Sequence, residues 1–364
     1  MTIKRPLSLL LAALALPASA AFTKSVAFTT AGYQGSAPLA NFPVLVKLPG
    51  TINGFDYADF GGTTNLVFRD SAGNAIPYEV DTWNTTGTSL VWVRVPSVTK
   101  TTVFYMHYCG SDDTVNNPTA TWTGANYVGV WHMDETSGTV ADATGHGLTA
   151  TPAGTDTTKS NRYSGSDAPV GHARRTGTGS SASYLSIASY DSFSVGNTFS
   201  VSGWVRLTGY GSSPRVFSRK VGYKDSDGWE IELSSFGQFK ARGAAEDKNL
   251  CTGSITPDTH NNWVHLAFVY DGTTITAYTN GNFSVRSDSI TAATDNEKSF
   301  SIGSKSGGGS NCADGSFDEC RLLDAVASAD WIAAEYATVA SDTFVTAGDV
   351  EEIGSKPGVV IFVR

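Results

Sequence analysis

The stretch Trp263–Arg286, WVHLAFVYDGTTITAYTNGNFSVR, reads as two strand segments followed by a hairpin. Val264, Leu266, Phe268 and Tyr270 alternate with His265, Ala267 and Val269, so the first strand is apolar on much of both faces. Asp271-Gly272 makes a tight turn. Thr274–Thr279 is β-branched and aromatic, and Asn280-Gly281 then supplies the two positive-φ residues that a type I′ hairpin requires. The strand resumes over Asn282–Arg286.

The rest of the composition agrees. In 364 residues there are 38 Gly, 18 Phe, 14 Tyr and 8 Trp, which favours strands and turns, in a chain long enough for two cores. Residues 1–20 read as a signal peptide: Lys4 and Arg5 precede the short apolar run Leu7–Leu16, Pro17 breaks it, and Ala18-Ser19-Ala20 fits a cleavage site before Ala21. Removing this segment, which carries two positive charges and no acid, takes the net charge from −9 to −11. That balance disfavours nucleic acid and anionic membrane surfaces as partners. No later run reaches transmembrane length, the apolar tail Val359–Val363 included. The expected location is therefore outside the cytoplasm: secreted, periplasmic or at the cell surface.

Export permits disulfides. Cys109, Cys251, Cys312 and Cys320 allow three fully paired connectivities. Cys251 and Cys312 sit in polar, loop-like surroundings, and their pairing is the expectation, with Cys109 and Cys320 free. No close Cys pair or Cys/His cluster suggests zinc.

Residues 21–110 contain short strands at 22–30, 42–48, 66–69, 76–83, 89–95 and 101–108, and read as a first β-sandwich. Residues 111–124 are polar and read as a linker. Residues 125–340 form a second β-domain. It has strands at 128–133, 184–187, 198–207, 215–220, 229–233, 238–242, 300–303 and 316–322. A short helix capped by Ser328 follows, with Asp330 at its positive end and Ile332, Tyr336 and Val339 on one stripe. Residues 151–182 read as extended surface loop, and 341–364 as a C-terminal tail.

The segment W-x-H…Y-D-G…Y-x-N-G of 263–281, the entry strand VGVWHMDE and the ending SFDECRLLDA plus helix resemble laminin-G-like modules of the concanavalin A-like lectin/glucanase jelly-roll class. FPVLVKL, NLVFRDSAGNAIPYEVDTW, LVWVRVP and FYMHYCG resemble a domain of unknown function found in secreted and surface proteins of bacteria and archaea. That family ends its last strand in Tyr-Gly, where this chain has Cys109. The expected fold is all-β, with two β-sandwich domains, the second a concanavalin A-like jelly roll with a short C-terminal helix.

Three functions follow from these resemblances. The first is a non-catalytic binding module, adhesive or binding glycan or surface polysaccharide. The second is a glycoside hydrolase or lyase using Glu230 and Glu232. The third is a structural envelope or surface-layer component. Glu230-Ile231-Glu232 echoes the alternating E-x-D-x-E strand of concanavalin-like glucanases, with two of its three acids. Alternation sets the Cα atoms roughly 6.5–7 Å apart on one face, and a retaining pair needs carboxyls about 5–5.5 Å apart. The bland alternative is a half-exposed strand whose glutamates face water. His132, His265 and Asp142 lack the G-x-S-x-G elbow of a hydrolytic triad. The jelly-roll resemblance also implies structural Ca2+ at a loop rim, with Glu135, Asp142, Asp314, Asp318 and Glu319 as ligands and Asp134 beside them. Glycan stacking would draw on Tyr190, Tyr210, Tyr223, Trp229 or Phe236.

Overall fold

In a computed structural model the described residues run from 21 to 353. They exclude 50–51, 62–64, 112–113, 161, 164–166, 180–181, 189–197, 210, 223, 226–227, 244–250, 289–297 and 309–310. Residues 1–20, read as a signal peptide, the tail run 359–363, Tyr190, Tyr210 and Tyr223 thus lie outside them. The chain is all-β, with two sandwiches and a short helix near the C-terminus.

The first sandwich sets a five-stranded sheet on a three-stranded one. The larger sheet is ordered Thr346–Glu352, Lys24–Thr29, Val103–Tyr108, Leu66–Asp70, Ala75–Ile76; the smaller is Leu39–Leu48, Ser89–Val98, Tyr78–Thr82. Inward alternation buries Val26 and Phe28 against Phe104 and Met106, with Phe28 and Phe104 stacked at 5.5 Å. The run 76–83, expected as one strand, divides at Pro77. Ala75–Ile76 pairs in the larger sheet and Tyr78–Thr82 in the smaller, because a residue with no N–H cannot continue a ladder. Cys109 sits at φ 60, a left-handed conformation that glycine adopts freely, which accounts for the glycine of the resembling family at this point.

The jelly roll stacks an eight-stranded on a seven-stranded sheet. The first runs Arg162–Tyr163, Ala173–Arg175, Asp314–Leu323, Phe199–Gly209, Val264–Tyr270, Ile275–Thr279, Asn282–Arg286, with Tyr127–Trp131 also paired to Asp314–Leu323. The second runs Cys251–Ser254, Gln238–Arg242, Glu230–Ser235, Arg215–Ser218, Phe300–Ile302, Ser183–Ile187, Ala150–Gly154. Part of the expected 151–182 loop is therefore strand. The Asn280-Gly281 hairpin forms as read, with φ 49 and 75. Val264–Tyr270 is buried on both faces: Leu266 and Phe268 enter the core, and Ala267 and Val269 lie under Ile332 of the helix.

That helix, Ala329–Ala340, is capped as read, with Ser328 Oγ accepting from Trp331 N. It joins the modules. Asp330 Oδ2 accepts from Ser36 N at 2.8 Å, Thr338 Oγ1 accepts from Leu45 N at 2.8 Å, and Trp331 meets Phe42 edge-on at 4.8 Å. Beyond it, Phe344 is buried in the first core, and Thr346–Glu352 adds an edge strand beside Lys24–Thr29. Residues read as a tail thus complete the first sandwich. In the expected linker, Ala120–Thr123 forms one helical turn that buries Trp122.

Candidate functional site

Titratable side chains converge where the modules meet. Glu79 and Asp81 are two residues apart on Tyr78–Thr82 of the first sandwich. In the jelly roll Cys320 pairs with Trp131, so the next residues outward, Glu319 and His132, come face to face. A bulge helps: Arg321 pairs with Ser202 but Asp318 with Trp204, and Glu319 takes the left-handed region at φ 47. An extra residue of this kind re-aims a side chain out of the ordinary alternation. Met133, at φ 69, similarly separates His132 from Asp134.

His132 Nδ1 lies 2.7 Å from Glu319 Oε1 and 3.8 Å from Asp81 Oδ2, while Nε2 faces Glu79 Oε2 at 3.4 Å. The ring is boxed by Trp92 and Trp122, and the Trp122 indole N–H donates to Glu79. Arg321, fully buried, donates from Nη2 to Glu319 Oε2 at 2.6 Å and from Nη1 to Glu335 Oε1 at 3.1 Å. Burial pushes the Asp81 carboxyl up to about 6; His132 opposes the rise and Glu319 adds to it. Burial and then Asp81 push Asp134 up to about 8. Burial and Glu319 hold Asp318 well above the usual carboxylate range. Burial works against charge on His132 and Glu319 as well. Here their mutual attraction, with Glu79 acting on His132 and Arg321 on Glu319, wins: the imidazole is raised and Glu319 lowered. The site is an acid-rich pocket with the His132 imidazole at its centre.

Of the expected calcium ligands, Asp318 and Glu319 reach this cluster, with Asp134 beside them. Asp142 does not: its oxygens accept from Val130 N, Thr144 N and Oγ1, and Leu148 N, which organises its own loop. Glu135 accepts from Ala141 N and faces Arg174 at 3.5 Å. Asp314 lies five residues before Glu319, roughly 16 Å along the strand. Asp81 and Glu79 were missed. They belong to another domain, and only the assembled interface brings them to His132.

Glu230 and Glu232 share one face, but that face is neither open cleft nor water. They are 1% and 3% exposed. Arg215, opposite Glu232, donates Nε to Glu230 at 3.0 Å, and Arg242, opposite Glu230, donates Nη1 to Glu230 at 2.7 Å and also to Glu232. Trp229, offered for stacking, is core, and Phe236 is half-buried against His260 at 4.4 Å.

The Cys251–Cys312 disulfide is corrected. Cys312 is a buried free thiol that donates to Ser304 Oγ, and Cys109 and Cys320 are free. The register Thr252–Lys240–Glu232–Arg215–Cys312 puts four strand spacings, roughly 19 Å, between the two cysteine segments. A disulfide needs Cα atoms about 4.4–6.8 Å apart.

His265 packs as a structural residue. It is buried beneath the helix between Trp204 and Tyr336, and burial, then Arg321, push its pKa down to about 3. The unfolded chain takes a proton near pH 6.5 and the folded chain does not, so stability is lost as pH falls from 6.5 toward 3. At pH 5 this loss amounts to about 2 kcal/mol relative to pH 7. Denaturant unfolding of the native protein and of His265→Phe at both pH values checks it. The variant is expected to lose about 2 kcal/mol less, and an identical pH response sinks the assignment.

Against this geometry the two modules are placed by their relatives. Residues 178–333 match the concanavalin A-like lectin/glucanases superfamily, and the second module belongs to that class. Residues 63–147, from the first sandwich into the start of the second, match a domain of unknown function (DUF2341). No curated protein matches the chain significantly by sequence. Similar solved structures include domain 4 of AbnA, a GH43 extracellular arabinanase from Geobacillus stearothermophilus, in complex with arabinotriose. It has 21% identity and a TM-score of 0.41, over 57% of this chain and 97% of that one. The binding domain of Paraclostridial Mosquitocidal Protein 1 has 15% identity and a TM-score of 0.44, over 58% and 52%. A botulinum neurotoxin type C structure, described as dependent upon two ganglioside molecules for cell entry, has 11% and 0.43, over 59% and 51%. The chain spans about half the length of these two toxin structures. Among the described residues no helix is long and apolar enough to cross a membrane.

Proposed function

We propose that the chain is an exported, non-catalytic binding protein whose jelly roll takes an extracellular or surface polysaccharide. The observation that carries this reading is the state of Glu230 and Glu232. A retaining glycosidase needs one carboxyl free to donate a proton and another free to attack, in contact with substrate. Here both are buried and held by Arg215 and Arg242. A lectin/glucanase-class module whose alternating acids are locked in ion pairs lacks the free pair that hydrolysis needs, which favours the fold's binding use. Export is carried by the sequence of residues 1–20 alone.

The test is affinity electrophoresis of the mature chain through gels containing a panel of polysaccharides, with reducing-end detection on the same mixtures. Retardation by at least one polysaccharide without new reducing ends is expected. Released reducing ends that vanish in Glu230→Gln would replace the reading with the hydrolase, and no retardation across the panel would remove the glycan.

A further inference from the structure

We propose that Asp81, His132 and Glu319 form a binding site for one divalent transition-metal ion of the zinc class, held between the two modules. It is independent of the polysaccharide reading. One donor atom from each residue faces a common point, all within 4.8 Å of one another. The far end of every one is already engaged. His132 presents Nδ1 while Nε2 faces Glu79 at 3.4 Å. Glu319 presents Oε1 while Oε2 is held by Arg321 at 2.6 Å. Asp81 presents Oδ2 while Oδ1 accepts from the Thr82 hydroxyl at 2.9 Å.

Asp81 Oδ2 is the independent sign of a ligand. The side chain is fully buried and this oxygen has no hydrogen-bond partner among the described residues, its neighbour Asp134 being a second carboxyl that can serve it only when protonated, a condition that costs stability unless something else satisfies it. The spacing also fits. Zinc–ligand bonds of about 2.0–2.2 Å at tetrahedral angles put donor atoms roughly 3.3–3.5 Å apart. The 2.7 Å and 3.8 Å separations from Nδ1 to Glu319 and Asp81 bracket that value, and the third pair of donors lies within 4.8 Å.

A nitrogen donor at the centre selects the zinc class, because calcium takes six to eight oxygens. Carboxylates behind a ligating histidine and cations behind a ligating carboxylate are the outer-shell partners such sites use to fix orientation. A pocket of about 200 Å³, lined by Glu79, Asp81, His132, Asp134 and Glu135, adjoins the donors; it supplies an entry path and room for a water ligand. Because Asp81 comes from the first sandwich and the other two from the jelly roll, the ion would fasten one module to the other.

The experiment strips the mature full-length chain with chelator and titrates it with Zn2+, Co2+ and Ca2+ by calorimetry, following visible absorption for Co2+ and the unfolding midpoint for each. One Zn2+ per chain, a Co2+ spectrum of low coordination number and a midpoint raised by Zn2+ are expected. Asp81→Asn removes the anionic donor without a change of volume and should weaken Zn2+ at least about 100-fold; Glu79→Gln, which leaves all three donors, should weaken it about 10-fold. Absence of a Zn2+ isotherm, Ca2+ binding tighter than Zn2+, or unchanged affinity in Asp81→Asn would overturn the proposal. Should Asp81→Asn fail to fold, the same criterion applies to Glu79→Gln.

Discussion

Replacing Arg321 with methionine is expected to destabilise the protein by about 3–5 kcal/mol, the range for removing one partner of a buried ion pair. Arg321 is 1% exposed and is the cation shared by Glu319 and Glu335. Burial would discharge it, but Glu319, Tyr127 and Glu335 hold its pKa above the ordinary arginine value. Its guanidinium also lies over Trp92 at 4.5 Å and Trp122 at 5.1 Å. Without it, Glu335 keeps the Ser202 and Tyr127 hydroxyls as partners but loses the Arg321 cation, and Glu319 keeps His132. The flanking carboxylates make the loss larger than that of an exposed pair. Arg321→Lys keeps the charge but not the fork, and should fall between the two. Denaturant unfolding by tryptophan fluorescence reads the effect. Because Trp92 and Trp122 line the cation from the first sandwich and the connecting turn, the variant should also shift native emission. A loss below about 1 kcal/mol, as for a surface pair, would show that the hub is dispensable. Adding Glu319→Gln and Glu335→Gln to Arg321→Met should recover much of the loss by removing the stranded charges.

The fold was legible because its signals are local. Asn280-Gly281 can do little but turn a hairpin, Ser328 caps the helix as its side chain predicts, and the alternation of Val264–Tyr270 is read residue by residue. The site was legible only in part, because its parts lie far apart in the chain, His132 and Glu319 by 187 residues. Asp318 and Glu319 stood out as acids for a calcium-binding loop rim, but nothing near Asp81 announces a partner at His132 and Glu319. The burial of Glu230 and Glu232 was illegible for the same reason. Period-two alternation correctly put them on one face, while the identity of that face depends on Arg215 and Arg242 arriving in register on neighbouring strands. Thr346–Glu352, the sequence TAGDVEE, has no apolar alternation; an edge strand with mostly exposed side chains needs none, since its backbone pairing with Lys24–Thr29 forms it. The disulfide failed on topology: polar surroundings at Cys251 and Cys312 do not reveal the strands lying between them.

Removing Arg242 should also cost about 3–5 kcal/mol, and this result bears on function as well as stability. Arg242 donates to both Glu230 and Glu232, and both acids are the reason its own pKa is raised against burial. In Arg242→Leu the two glutamates, next-but-one on a strand, are left with Arg215 and a distant Lys240 at 3.9 Å. Their mutual repulsion then adds to the loss. Combining Arg242→Leu with Glu230→Gln removes the stranded charge and is expected to restore more than half of the loss. Chemical unfolding of the three proteins at pH 7 measures both statements. The same variants separate a structural quartet from a catalytic pair: Glu230→Gln should alter stability and leave polysaccharide retardation unchanged. Retardation lost in Glu230→Gln while the fold survives would instead place these acids in contact with ligand, and the locked quartet would then be a closed form of a working site.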